Sequence, residues 1–365
     1  MNRYSRRQLL SAIGISTAIG IAGCSGSTET ATSTSTGMPT ATGTPAPATP
    51  SAPQGNATVA TSHLATGSTG SNSMTVPVSA SVNGQTFESI TVAYDAGFDL
   101  SGVVGEDATV YVGEGLSPAQ TVTVTAATVT DDGTGIELTL DGTVTLSDGQ
   151  QVVVEYEGVR MPDREGTYAV TITLNGTASE TGTVDITRTA GPITSTFERT
   201  IEGWRVEGDA QGGSSFPNHP DSGGNPGRCL EAVDDVEGGT WYWTAPTQFL
   251  GDKSDYGGGE LTFDIYQDNR SSQFSNDDVV LEGTETTLAY DFGGEESHPE
   301  TDWTSYTVPL TATDSWFVGS IDGDEATADQ FESVLSDLQR LAIRGEYVSG
   351  SDTGYLDNPT LTPPE

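Results

Sequence analysis

Residues 167–187 run Thr167-Tyr-Ala-Val-Thr-Ile-Thr-Leu174, then Asn175-Gly176, then a second Val/Thr segment at Thr183-Val-Asp-Ile-Thr187. Val- and Thr-rich runs bounded by turn residues are strand signals, and Asn-Gly is the dipeptide that closes tight hairpins. Working outward, the same grammar recurs at Thr75–Val82, Thr86–Tyr94, Thr121–Thr130, Gly135–Leu140 and Gln151–Val159. Asn83-Gly84, Asp132-Gly133, Asp141-Gly142 and Asp148-Gly149 punctuate these runs. No helical period interrupts them. Residues 74–190 therefore predict an all-β, Ig-like sandwich of about seven strands. The region lacks tryptophan and cysteine, which excludes an antibody-type domain. Tyr156-Glu-Gly-Val-Arg-Met-Pro162 with Gly166-Thr-Tyr168 resembles a strand-turn-strand piece of prokaryotic surface sandwich domains.

Toward the N-terminus the composition changes. From Cys24 to Ser73, 41 of 50 residues are Ser, Thr, Pro, Gly or Ala and none is aromatic. Such a stretch cannot bury enough apolar surface to offset its chain entropy, so residues 24–73 are expected to form a disordered tether. Residues 1–23 hold Arg3, Arg6 and Arg7 and then an apolar run too short to span a bilayer. Ser5-Arg6-Arg7-Gln8-Leu9-Leu10 resembles a twin-arginine export signal, read by Arg6 and Arg7, and Ile21-Ala22-Gly23-Cys24 resembles a lipobox. Cys24 is then the expected lipidation site. An ordinary signal peptide or an uncleaved signal anchor is the alternative. Cys229 would be left as the only thiol, excluding an intramolecular disulfide.

Toward the C-terminus the chain becomes aromatic. Residues 191–365 carry all five tryptophans and 20 of the 27 aromatic residues. Thr327-Ala-Asp-Gln330 is a capping box opening a helix with Phe331, Val334, Leu335 and Leu338 on one face. It leads into a strand at Leu341-Ala-Ile-Arg-Gly345. Gly191-Pro192 marks the domain boundary.

An ordered series of motifs resembles the laminin B domain (laminin IV type A). It runs Phe197-Glu198, Gly203-Trp204, Trp241-Tyr242-Trp243-Thr-Ala-Pro246, Phe249-Leu-Gly-Asp-Lys-Ser-Asp-Tyr-Gly-Gly258 and Leu261-Thr-Phe263. Val280-Leu-Glu-Gly283, Trp303, Val308-Pro-Leu310, Trp316, the helix-to-strand unit and Tyr355-Leu-Asp-Asn358 complete it. The resemblance implies a galactose-binding-like jelly roll and an extracellular interaction module without chemistry. Trp204, Trp303 and Trp316 are the candidate ligand-binding aromatics. Trp241 and Trp243 share one strand face, which favours the core. The opening and closing motifs are also similar to carbohydrate-binding jelly rolls, which implies Glu198 and Asp357 as ligands of a structural Ca²⁺. The bland alternative is that Asp357 caps a turn.

Catalytic signatures are missing. The three histidines, His63, His219 and His298, form no metal or triad motif, and His219 and His298 sit beside prolines in what read as exposed loops. No enzyme is expected. Asn56, Asn175 and Asn269 head N-glycosylation sequons, meaningful if the chain is exported.

The formal net charge is −39, from 52 acids against 13 basic residues, and Lys253 is the only lysine. Nucleic acid and anionic lipid headgroups are therefore excluded as partners, since both demand cations. The acidity is uneven: three arginines face 17 acids in 74–190, and seven basic residues face 34 acids in 191–365. Self-repulsion of this size is screened only near 1 M salt, where the Debye length is roughly 3 Å. The whole is similar to secreted haloarchaeal lipoproteins, exposed outside the cell and anchored to the outer face of the cell membrane by lipid alone. The leading expectation is a non-enzymatic surface protein whose C-terminal domain binds a glycan or a surface glycoprotein. A structural envelope spacer is the alternative, and a polysaccharide hydrolase or its accessory subunit ranks third.

Overall fold

A computed structural model describes residues 55–105, 108–130, 132–208, 215–234 and 238–365. Arg6, Arg7, Cys24 and the tether up to residue 54 lie outside the described residues. Among the latter, no helix is long and apolar enough to cross a membrane.

The first sandwich is built from β1 (Thr58–Thr61), β2 (Thr69–Pro77), β3 (Ser89–Tyr94), β4 (Thr109–Gly113) and β5 (Gln120–Val122). It continues with β6 (Val124–Val129), β7 (Gly135–Leu140), β8 (Gln151–Arg160), β9 (Gly166–Leu174) and β10 (Ala178–Ile186). Two five-stranded sheets result, ordered β1-β2-β8-β4-β5 and β10-β9-β3-β7-β6. The Asn175-Gly176 hairpin joins β9 to β10 as expected, both residues at positive φ, 49° and 61°.

Ten strands form where about seven were expected, in part because Thr121–Thr130 divides into β5 and β6 on different sheets, and three further details differ. The strand after this hairpin starts at Ala178 rather than Thr183, and β4 is an unanticipated strand. The folded region also begins well inside the expected tether of 24–73, because β1 and the first half of β2 pair there. The reason is a polar sheet face. Thr61, Ser62, Asn72, Ser73 and Thr75 are all buried, so a hydroxyl-rich composition here lines a covered surface instead of a solvated chain. Asn72 Nδ2 donates to Tyr94 Oη at 2.8 Å, and Tyr94 meets Tyr156 Oη at 2.7 Å, which ties this layer to the core, although Asn72 Oδ1 and Ser73 Oγ find no partner there.

The second sandwich is built from β11 (Ile193–Thr194), β12 (Arg205–Glu207), β13 (Leu230–Asp234), β14 (Tyr242–Thr244), β15 (Glu260–Gln267) and β16 (Val279–Gly283). β17 (Thr287–Tyr290), β18 (Thr304–Pro309), β19 (Trp316–Val318), α1 (Ala328–Ser336), β20 (Leu338–Arg344) and β21 (Asp352–Thr362) follow. One sheet is ordered β11-β21-β15-β18, and the long β21 also pairs β13. The other is β12-β14-β20-β16-β17-β19. The Thr327/Gln330 capping box is formed, and α1 buries Phe331, Val334 and Leu335 against the core.

The two sandwiches have separate cores but share a closed seam. Val152 and Val154 belong to the first core, whereas Val153 between them packs into the second. A strand covered on both faces needs such an unbroken apolar run. Around Val153, the Arg205 guanidinium lies 3.6 Å over the Tyr111 ring. The Ile201 amide donates to Gln151 Oε1 at 3.1 Å, and Lys253 Nζ donates to the Ser62 carbonyl at 2.8 Å.

Candidate ligand-binding cleft

The outward face of the β13-β21-β15-β18 sheet carries a row of four side chains. Glu231 stands opposite Tyr355, and Tyr355 stands opposite Tyr266. Ile265 pairs with Thr304, so Trp303, one residue before β18, comes next to Tyr266. Because antiparallel register puts directly opposed side chains on one face, these four lie in line across the strands. Tyr266 and Tyr355 have ring centroids 5.1 Å apart, tilted by 60°; Tyr266 and Trp303 are 6.0 Å apart, tilted by 44°.

Above the row lies an open cavity of about 350 Å³, completed by Pro220, Ser222, Gly223 and Asp302. That size is within the range of small-ligand sites. Trp303 Nε1 donates to the Gly223 carbonyl at 3.2 Å, which fixes the indole against the 220–224 loop. Glu231 Oε1 accepts from Asn218 Nδ2 at 3.0 Å and is oriented by it. Burial and the Glu231 carboxylate push the Tyr355 phenol well up, so it stays a neutral donor.

Of the three tryptophans expected to bind ligand, only Trp303 is at this surface. Trp204 and Trp316 are fully buried, which corrects the expectation. Trp204 Nε1 donates to Ser195 Oγ at 3.0 Å, with Phe249 edge-on at 5.4 Å. Trp316 Nε1 donates to the Pro309 carbonyl at 2.8 Å and packs between Tyr290 and Phe331. Both face inward and satisfy their one polar atom there, as buried indoles usually do, although Trp241 and Trp243 do not. Trp241 and Trp243 are buried together, 4.9 Å apart. Tyr266 and Tyr355 were not anticipated as site residues. Each sits within a quoted motif or beside one, but only strand pairing brings them together.

Asp357 lies two residues along β21 from Tyr355, near enough to Glu198 to feel its charge. Asp357 is fully buried and pairs across the sheet with Asp264. Burial pushes its carboxyl up to about 6; amide hydrogen bonds from Asn225 and Asn358 oppose this, and the Asp264 and Glu198 charges add to it. Its two oxygens accept from the Asn225 amide at 2.5 Å and the Asn358 amide at 2.8 Å. Asp264 accepts from Asn358 Nδ2 at 2.9 Å and Ser305 Oγ at 2.5 Å. Among the described residues no three His, Cys, Asp or Glu side chains are grouped to hold a metal ion. Each Asp357 oxygen accepts one amide, and Asp357, Asp264 and Asn358 together clasp Asn225 of the 224–227 turn against the sheet.

The other polar candidates are structural too. Asn175 spends its whole amide: Oδ1 accepts from the Glu88 and Ser89 amides, and Nδ2 donates to the Thr86 carbonyl at 2.7 Å. A glycan there would break this clamp. Asn56 is exposed, and Asn269 Oδ1 accepts locally from the Ser271 amide. His298 is not an exposed loop residue: it is 1% exposed, packs against Tyr347, and burial pushes it down to about 4. His219 is half-buried, donating Nε2 to the Phe197 carbonyl while Nδ1 accepts from Arg228. A larger groove, about 1270 Å³, follows the seam between the sandwiches. Its basic side chains are engaged, Arg228 also pairing Asp221, so it offers no concentrated charge to an anion.

Residues 242–363 match the family Laminin B (Domain IV). Human laminin subunit gamma-1 is 32% identical over 122 residues, 33% of this chain and 7% of that protein. The Caenorhabditis elegans basement membrane proteoglycan is 32% identical over 129 residues, 33% of this chain and 4% of that protein. Zebrafish (Danio rerio) laminin subunit gamma-1 is 31% identical over 172 residues, 46% and 10% respectively. The chain thus spans a tenth or less of the curated relatives it matches. Among solved structures, the L4b domain of human laminin alpha-2 covers 44% of this chain and 91% of its own, at 17% identity and TM-score 0.35. A family 11 carbohydrate-binding module of a Clostridium thermocellum cellulase covers 48% and 87%, at 16% identity and TM-score 0.29. The C-terminal half of this chain carries, over residues 242–363, a laminin B domain.

Proposed function

We propose that this is a non-enzymatic surface protein, exported through Arg6 and Arg7, held by lipid at Cys24, and binding a glycan or surface glycoprotein through its laminin B domain. The carrying observation is the Glu231–Tyr355–Tyr266–Trp303 row beneath an open cavity. Aromatic faces flanked by a few oriented polar groups supply apolar contact to sugar rings and hydrogen bonds to their hydroxyls. No nucleophile and base stand together in this cleft, which favours binding over turnover. The closed seam at Val153 favours a stiff stalk, so the same molecule also suits an envelope spacer that presents its outer domain.

A glycan array probed with the full chain in molar salt tests the binding reading. Selective signals that vanish in Tyr266→Ala support it. A blank array with the folded protein, together with self-association or co-purification with the envelope, would favour the spacer. Cys24→Ser should release the protein into the medium; retention in the membrane fraction would refute the anchor.

A further inference from the structure

The cleft has a shape and a charge that narrow its ligand beyond "glycan", and this step rests on the binding reading above. The row crosses four adjacent strand positions, so at about 4.8 Å per strand its length is roughly 14 Å. A line of this length with open ends suits an extended chain better than a single small molecule. A compact aromatic cage around one cation would instead need rings converging on a point, whereas Trp303, Tyr266 and Tyr355 are strung out in sequence across the sheet.

The ends of the row are acidic. Glu231 closes one end, and Asp302, next to Trp303, stands at the other. Among the described residues neither has an arginine partner, and the salt bridges of the second sandwich lie elsewhere, at Arg228–Asp221, Arg270–Glu300, Arg340–Glu207 and Arg344–Asp278. A ligand carboxylate or sulfate set against the half-buried Glu231 would meet uncompensated negative charge at contact distance, where salt screens least, whereas the exposed Asp302 adds little in molar salt. Neutral hydroxyls would instead donate to these carboxylates, in charge-assisted bonds stronger than neutral ones.

The geometry points to an uncharged polysaccharide chain lying across the strands, its rings on Tyr355 and Tyr266 with Trp303 as the edge wall and Glu231 as the hydroxyl acceptor that also excludes acidic sugars. Glu231 is thereby a specificity-determining residue. It is half-buried and already oriented by Asn218, so its carboxylate meets the ligand with little ordering cost.

Titration calorimetry on the full chain, in salt high enough to keep it folded, tests this with neutral and uronic-acid oligosaccharides of one to six units. Affinity should rise with the length of neutral chains up to three or four units, and acidic chains should bind at least about tenfold more weakly. Tyr266→Ala and Trp303→Ala should each weaken neutral binding about tenfold or more. Glu231→Gln should weaken neutral binding while narrowing the gap to acidic chains. Equal or tighter binding of acidic chains, or a monosaccharide binding as well as a tetrasaccharide, overturns the proposal while leaving the glycan reading intact. Binding to no oligosaccharide, with the protein folded, overturns the glycan reading itself.

Discussion

Lys253, the only lysine in the chain, donates its ammonium to the backbone carbonyl of Ser62, 2.8 Å away across the seam between the two sandwiches. It also donates to the Leu250 carbonyl at 2.7 Å and is fully buried. A cation without a buried counter-ion pays desolvation, and burial pushes Lys253 down from its ordinary 10.5 to about 7. Between pH 7 and about 10.5 the unfolded chain holds this proton and the folded chain does not. Stability should therefore rise with pH through that window, and the penalty is fully present below pH 7. In Lys253→Met this rise should disappear from melting curves between pH 7 and 10. An unchanged slope would refute the assignment.

The seam should make the two sandwiches melt as one. Val153 is fully buried in the second core although it belongs to a strand of the first sandwich. Val153→Asp leaves an unpaired charge there and should cost about 3 kcal/mol or more. Calorimetry should then resolve two transitions where the parent shows one. Two transitions in the parent would contradict a rigid stalk.

Asp352 faces Asp234 across β21 and β13, and its carboxylate oxygens reach the Tyr347 and Val348 amides without hydrogen bonds of ordinary geometry. Burial first, then the Asp234 and Asp268 charges, push it up to about 7. The folded chain holds this proton between pH 4 and 7 and the unfolded chain does not, so this group's contribution falls as pH rises through that window. Asp352→Asn should raise the melting temperature by several degrees above pH 7, from on the order of 1–3 kcal/mol, and have little effect near pH 4. A loss of stability above pH 7 would mean the carboxylate is held by something stabilising, such as a cation.

The acid excess predicts dependence on salt. With a formal charge of −39, circular dichroism in about 0.1 M salt should show a lost sandwich spectrum that about 3 M salt restores. An identical spectrum and melting point at both concentrations would contradict it.

Local chemistry was the legible part of this chain. The Asn175-Gly176 hairpin, the Thr327/Gln330 capping box and the shared face of Trp241 and Trp243 depend on neighbours in sequence and stand as read. What failed depends on distant neighbours. Thr58–Thr61 looked like tether because its partners, β2 beside it and the second sandwich beyond, are invisible in composition. Trp204 and Trp316 resembled Trp303 as letters, and only the sheet's inside and outside separate them. Tyr266 and Tyr355 make a site because β15 and β21 pair, and register between strands so far apart in the chain leaves no short-range signal.

Trp303 gives the cleft its own reporter, since it is half-buried while the other four tryptophans are fully buried. Acrylamide quenching should therefore reach Trp303 almost alone. Saturation with a binding oligosaccharide should abolish the quenching, and Trp303→Phe should lack the quenchable component from the start. Quenching that stays unchanged while the ligand is demonstrably bound would place the binding surface elsewhere and contradict the cleft.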